Sequence, residues 1–152
     1  MKKRLLAVLL SLVTVFCLSA SAFALTPPDE GEVIDLGDGY YLVVDGIEQS
    51  TLTNPLARLS GTTINATKNA SVYNGSVKIG NISISGNFTY NGTTAVANYG
   101  SVSGSGLNGW TYSSGSASCY AATVTGHYTF KLSTTSKSFT LYLICQPDGS
   151  VS

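Results

Sequence analysis

Charged and chemically reactive residues are scarce in this sequence, and their scarcity argues against catalysis. Asp, Glu, Lys and Arg make up 11% of the 152 residues, and there is one histidine. His127 falls on the polar side of a strand pattern, without a serine or cysteine nucleophile in a recognisable motif. Asp148 is the only acid after residue 50, so paired carboxylates for glycoside hydrolysis are not expected. We therefore predict that the protein is not an enzyme.

The distribution of charge also disfavours nucleic acid, metals and cofactors as ligands. The basic residues after residue 50 are few and scattered, whereas binding to nucleic acid requires many phosphates to be neutralised. Seven acids lie between residues 29 and 48. Asp35 and Asp38 lack the further ligands and the spacing of a calcium loop, so this segment is expected to be solvated. No metal site and no cofactor are predicted.

Beyond the N-terminus there is no apolar run long enough to span a membrane. Residues 5–18 are apolar, follow Lys2, Lys3 and Arg4, and precede an A-x-A cleavage site at Ala22 and Ala24. The run is shorter than the roughly 20 residues that a spanning helix needs. Residues 1–24 are thus predicted to be a signal peptide, and the mature protein to be secreted, extracellular and free of the membrane.

Cysteine is also rare, with three in the whole chain. Cys17 leaves with the signal peptide, and the bulky Phe16 before it does not fit a lipoprotein signal. Cys119 and Cys145 remain, and an even count in an exported protein favours a disulfide between them. Metal ligation is the alternative, but two thiols without a histidine cluster make a poor zinc site.

What the sequence does have is a succession of short β patterns. From residue 81 to residue 90, Ile82, Ile84, Phe88 and Tyr90 alternate with polar residues, and Asn91-Gly92 follows as a hairpin turn. Similar alternation spans residues 120–132 and 139–145, which we expect to form antiparallel neighbours. The Ser- and Gly-rich residues 100–106 are expected to be an exposed loop.

These patterns predict an all-β protein, specifically an antiparallel β-sandwich, with a small β-barrel as the alternative. Residues 25–37 are predicted to be an acidic N-terminal arm. Residues 38–152 are predicted to form a single domain, and the protein is expected to be a monomer.

Several short motifs resemble those of a group of small secreted proteins from Gram-positive bacteria. They are LGDGYYLV from Leu36, GNFTYNG from Gly86, Trp110 with the Ser-rich residues 113–118, YTFK from Tyr128, and LIC from Leu143 before Asp148-Gly149. The resemblance implies export, a bacterial source and a β architecture. It implies no activity, because that group has none assigned.

Aromatic residues are the best functional lead in the sequence. Trp110 and Tyr112 are two residues apart, so on one strand they face the same way and form a candidate platform for a sugar or peptide. The interpretation that we favour for Trp110 itself is that it fills the core. We predict an extracellular or cell-surface binding module whose unknown partner is a glycan or a protein. The alternatives are a carbohydrate-binding module using Trp110 and Tyr112, and a secreted antimicrobial or toxin-like effector.

Overall fold

The computed structural model describes residues 31–52 and 61–152, which form two antiparallel β-sheets and contain no helix. Within these ranges no helix has the length and hydrophobicity that a membrane crossing requires. The predicted signal peptide, with Ala22 and Ala24, lies outside the described residues. In chain order the strands are β1 Val33–Gly37, β2 Tyr40–Leu52, β3 Thr62–Asn74, β4 Val77–Tyr90, β5 Ala95–Gly106, β6 Thr111–Tyr120, β7 Thr123–Leu132 and β8 Thr135–Ile144.

Each sheet is a meander in which strands that follow one another in sequence pair side by side. The first has the order β1-β2-β3-β4-β5 and the second the order β6-β7-β8. All pairings are antiparallel. Short turns join the paired strands, except for β2 and β3, whose connection lies almost entirely outside the described residues. The all-β, antiparallel prediction is confirmed, and so is the pairing of the last two strands.

The alternation predicted for residues 81–90 is seen in β4. Ile82, Ile84 and Phe88 are buried, and the polar residues between them are partly exposed on the opposite face. The connection to β5 is longer than a two-residue hairpin: residues 91–94 form it, and the Asn91 side-chain oxygen accepts hydrogen bonds from the amides of Thr93 and Thr94. Such Asx turns are favoured by asparagine.

One hydrophobic cluster contains side chains from both sheets. Its largest fully buried members include Leu42 and Phe88 from the first sheet and Tyr128, Phe130 and Leu141 from the second. Complete burial of a side chain of this size contributes about 1.5–3 kcal/mol. We call the faces that supply this cluster the inner faces of the two sheets.

The Ser- and Gly-rich residues 100–106 are not the exposed loop that their composition suggested, because they belong to β5. Their glycines leave room for side chains of the second sheet. A Cβ atom on Gly104 would lie 2.8 Å from the Tyr112 ring, and one on Gly126 in β7 would lie 2.8 Å from Val102. Glycine is therefore used here for close approach between the sheets.

Part of the predicted N-terminal arm, residues 25–37, belongs to the first sheet. Residues 33–37 form β1 and pair with β2, and the side chains of Ile34 and Leu36 pack against the core cluster. Burial of the apolar side chains at alternate positions stabilises β1. The acid between them does not oppose this, because Asp35 points away from the core and stays exposed. Residues 25–30 lie outside the described residues.

Candidate functional site

Trp110 belongs to the core, so the predicted ligand platform is not formed. It is 8% exposed and meets the Tyr40 ring edge-to-face, with ring centroids 6.1 Å apart and an interplanar angle of 82°. A buried ring cannot stack on a ligand. The structure thus places Trp110 in the core, the second of the two positions considered from the sequence.

Tyr112 faces the same cluster from the start of β6. Its ring lies 5.6 Å from that of Phe130 and 6.5 Å from that of Tyr128, between centroids. Burial raises the pKa of its phenol. Trp110 and Tyr112 therefore both face the core cluster, where both contribute to packing between the sheets.

Cys119 and Cys145 are free thiols in the structure, the first exposed and the second buried. Cys119 is paired with Val124, and Val124 is paired with Leu143, so β7 lies between the strand of Cys119 and that of Cys145. Two strand spacings amount to about 9.5 Å, and a disulfide needs Cα atoms within about 7 Å. The predicted disulfide is not formed in this arrangement and would require the end of β6 to move.

His127 is exposed on β7, as its strand position suggested. Its Nδ1 atom shares a hydrogen bond with the Thr140 hydroxyl at 3.1 Å, across to β8. Within the described ranges, no group of three or more His, Cys, Asp or Glu side chains is arranged to hold a metal ion.

The most distinctive surface is the outer face of the first sheet, opposite the core. Most of its outward side chains on β3, β4 and β5 are hydroxyl, amide and phenol groups, and we call this set the polar face. Its members are Thr63, Asn65, Thr67, Asn69, Ser71, Asn81, Ser83, Ser85, Asn87, Thr89, Asn98, Tyr99, Ser101, Ser103 and Ser105. Val96, opposite Thr89, is an exposed exception, and Lys78 lies opposite Tyr73 at one end.

Hydrogen bonds between neighbouring strands order the polar face into rows. The hydroxyls of Thr67 and Ser85 share a hydrogen bond at 2.9 Å. The Ser83 hydroxyl donates to the Asn69 side-chain oxygen at 2.8 Å. Such cross-strand pairs each contribute roughly 0.2–1 kcal/mol. The side chains are thus held in fixed directions before any ligand arrives.

One row contains three amides and an exposed aromatic ring. The Asn87 amide donates to Asn65 at 2.7 Å, and the Asn98 amide donates to Asn87 at 2.9 Å. Next to them Tyr99 is 64% exposed, a large fraction for an aromatic side chain. This row, Asn65, Asn87, Asn98 and Tyr99, is called the amide row below.

A β-bulge explains how the amide row forms. Asn87 pairs with Tyr99 while the adjacent Phe88 pairs with Ala97, so β5 has one extra residue at this point. The extra residue is Asn98, whose amide also donates to the Thr89 hydroxyl at 2.8 Å. A bulge redirects side chains, and here it brings Asn98 and Tyr99 to the same face.

A shallow groove of about 390 Å³ crosses the polar face away from the amide row. Polar side chains of Asp45, Asn69, Asn81, Ser83, Ser103 and Ser105 line it. The Asp45 carboxylate accepts hydrogen bonds from the Ser71 hydroxyl at 2.9 and 3.1 Å. The groove therefore offers acceptors and donors along its length.

Two further tyrosines follow the polar face beyond Ser71. Tyr41 and Tyr73 are paired across β2 and β3, and their rings stack with centroids 5.0 Å apart and an interplanar angle of 4°. Burial, followed by the neighbouring Tyr73 phenol, raises the pKa of Tyr41. Aromatic groups thus stand at two places along this polar surface.

Comparison of the chain with protein-family models, curated proteins and solved structures gives no match. The surface itself is therefore the basis for inferring a function.

The sequence did not lead us to predict the amide row, although it contains one signal. The alternation of apolar and polar residues breaks at Asn98-Tyr99, between the small residues Ala97 and Gly100. A break of one residue is typical of a bulge, but the facing residues are known only once the strand pairing is known.

Proposed function

We propose that this protein is a secreted, non-catalytic binding protein whose polar face binds neutral glycans. The observation that carries the proposal is the amide row, in which the exposed ring of Tyr99 stands beside three hydrogen-bonded asparagines. The site predicted at Trp110 and Tyr112 is thereby replaced by one on the other face of the first sheet.

The chemistry of a sugar ring matches these groups. A pyranose has an apolar face of C–H groups, which packs on an aromatic ring, and an edge of hydroxyls that both donate and accept hydrogen bonds. A side-chain amide has two donor hydrogens and an acceptor oxygen. Tyr99 supplies the stacking surface. Asn65 accepts within the row and keeps its amide donors for sugar hydroxyls, and Asn98, whose amide donates to Asn87 and Thr89, keeps its oxygen as an acceptor.

The order of the polar face favours affinity. Binding loses free energy when mobile side chains become fixed, by about 0.5–1.5 kcal/mol for each rotamer-rich side chain. Asn69, Ser83, Asn87 and Asn98 are already held by their neighbours. A ligand that binds to these side chains therefore fixes few additional rotamers, and the free-energy cost of ordering them is small.

The scarcity of charged groups on and beside the polar face favours a neutral ligand. Its members are serine, threonine, asparagine and tyrosine, and the charged residues that border it are Asp45 at the groove, Glu48 opposite Thr67, and Lys78 opposite Tyr73. Binding through such groups should depend little on ionic strength, because salt screens charges and has little effect on hydrogen bonding or stacking.

We further propose that the two sheets form a β-sandwich. Support comes from the shared core cluster and from the glycines at the facing surfaces, which allow close packing. In this arrangement the polar face is the outer surface of one sheet and is open to a polymer of any length.

The proposal is tested by binding of the secreted protein to a panel of polysaccharides. The panel contains neutral glucans, mannans and galactans, with chitin as an insoluble glycan and polyglutamate as a charged, sugar-free polymer. We expect retention on at least one neutral glycan, unchanged between about 0.05 and 0.5 M NaCl. Retention on polyglutamate alone, or loss of all binding in high salt, would show that charge and not the polar face drives binding.

A further inference from the structure

A second groove lies on the inner side of the first sheet, beside β8, and is separate from the polar face. Its volume is about 280 Å³. The lining combines apolar and charged residues, among them Glu32, Ile34, Lys68, Leu141, Tyr142 and Ile144. It is called the Lys68 groove below.

Lys68 occupies an unusual position for a lysine. It is on the inner face of β3, paired with Ile47 on one side and with Ile84 on the other, and Ile84 is fully buried. The Lys68 side chain itself is 8% exposed. A charged group at this depth is costly unless partners replace its water.

The ion-pair partner of Lys68 among the described residues is Glu32, and this pair is loose. The Nζ and Oε2 atoms are 3.6 Å apart, whereas a charge-assisted hydrogen bond measures about 2.7–2.9 Å. The Glu32 side chain is 65% exposed, so water competes for its carboxylate. An ammonium has three donors, and a carboxylate held inside the groove would satisfy them better than Glu32 does.

From these observations we propose that the Lys68 groove binds a small monocarboxylate with an apolar body. The carboxylate pairs with the Lys68 ammonium in place of Glu32. The hydrocarbon part packs between Ile34 and Leu141, with Tyr142 and Ile144 at the β8 side. Charge complementarity thus fixes one end of the ligand, and apolar contact accommodates the other.

The alternative is that Lys68 extends its apolar stem over the core and brings its charge to Glu32, without a ligand. The two interpretations differ in what the groove does with hexanoate and with its neutral counterpart hexanol. If the groove binds a carboxylate, NMR titration of the full secreted protein with hexanoate shifts the amide signals of Lys68, Leu141 and Tyr142 in a saturable way. Hexanol then binds about tenfold more weakly or not at all, since it lacks the charge.

Three variants make the test specific. Lys68→Met keeps an unbranched apolar stem and removes the charge, so it should weaken hexanoate binding by about tenfold or more. Glu32→Gln removes the competing carboxylate and should strengthen binding. Lys131→Met, an exposed lysine of β7, is the matched control and should leave binding unchanged.

The proposal fails if wild type shows no saturable shifts with hexanoate, if hexanol binds as well, or if Lys68→Met binds like wild type. It also fails if Glu32→Gln weakens binding, because Glu32 would then assist and not compete. A Tyr99→Ala variant separates this proposal from glycan binding, since it should leave the hexanoate titration unchanged.

Discussion

The Tyr128 hydroxyl donates a hydrogen bond to the Ser83 carbonyl oxygen at 2.9 Å, from β7 of one sheet to β4 of the other. The Ser83 hydroxyl, on the opposite side of the same strand, donates to Asn69 on the polar face. Ser83 is therefore hydrogen-bonded to a core residue through its carbonyl oxygen and to the polar face through its hydroxyl. This relationship connects packing between the sheets with the order of the proposed binding surface.

Tyr128→Phe should destabilise the protein by about 1–2 kcal/mol, because it removes one partly buried hydrogen bond and keeps the ring. The measurement is the free energy of unfolding in urea. Tyr120→Phe, at an 85% exposed position, is the control and should change stability by less than about 0.5 kcal/mol. Equal effects of the two variants would show that the bond between the sheets contributes nothing.

Trp110→Ala should destabilise the protein by about 3–5 kcal/mol, because it leaves a cavity beside Tyr40. Thermal or urea unfolding measures this loss directly. If the variant is as stable as wild type, Trp110 is not a core residue, and its assignment as a ligand platform becomes the better interpretation.

An ion pair between Asp38 and Lys137 connects the β1–β2 turn to β8. The Lys137 ammonium donates to Asp38 Oδ2 at 2.9 Å and lies 4.8 Å from the Tyr40 ring centroid. The hydrogen bond, followed by the charge of Lys137, lowers the pKa of Asp38. The hydrogen bond that Lys137 donates to Asp38 likewise raises the pKa of Lys137.

A carboxyl group whose pKa is lowered on folding stabilises the fold at any pH above its pKa in the unfolded state. This stabilisation is lost as the pH falls through its pKa in the folded state. A lysine whose pKa is raised on folding stabilises the fold at any pH below its pKa in the unfolded state, and this stabilisation is lost as the pH rises through its pKa in the folded state. Asp38→Asn should therefore reduce the melting temperature slightly between about pH 5 and 9, and its difference from wild type should shrink as the pH falls below the ordinary carboxyl value of about 4. The effect is small because the carboxylate is 82% exposed.

Asparagine is a suitable replacement because Asp38 has a φ of 54°, which asparagine tolerates. The difference between wild type and Asp38→Asn should also shrink in 1 M NaCl, since salt screens exposed charges. A difference that persists at low pH and in high salt would mean that the variant alters the turn itself and not the ion pair.

The two thiols should differ in reactivity. Cys119 is exposed, whereas burial, followed by the nearby Asp148 carboxylate, raises the pKa of Cys145 and keeps it in the thiol form. Iodoacetamide should therefore label Cys119 in the native protein and Cys145 only after unfolding. If neither thiol is labelled in unfolded, unreduced protein, the sequence-based prediction of a disulfide is correct and the end of β6 must lie closer to Cys145.

Much of the fold follows from local sequence patterns. The alternation from Ile82 to Phe88 predicts a strand with one buried face, and β4 has that form. Patterns without large apolar residues were harder to interpret. Residues 100–106 and most of β6 consist of small residues, whose role in strands depends on what packs against them. Val102, which supplies that packing at Gly126, is distant from it in sequence, and Tyr112, which supplies it at Gly104, belongs to the other sheet.

The candidate site was less predictable for a related reason. Trp110 drew attention as the single tryptophan, but composition does not distinguish a core aromatic from an exposed one. Tyr99 carries no distinguishing motif, and its position beside Asn87 results from a register shift between β4 and β5. Register is a property of two strands together, so the sequence of either strand alone does not reveal it.

The most direct test of the proposed function compares Tyr99→Ala with Tyr142→Ala for retention on the neutral glycan that wild type binds best. Both tyrosines are exposed, 64% and 53%, and Tyr142 lies on the second sheet, away from the polar face. We expect Tyr99→Ala to weaken binding by about tenfold or more, equivalent to about 1.4 kcal/mol, with its melting temperature unchanged. Tyr142→Ala should bind like wild type. If Tyr99→Ala binds the glycan as tightly as wild type, or if Tyr142→Ala loses as much affinity, the amide row is not the binding site.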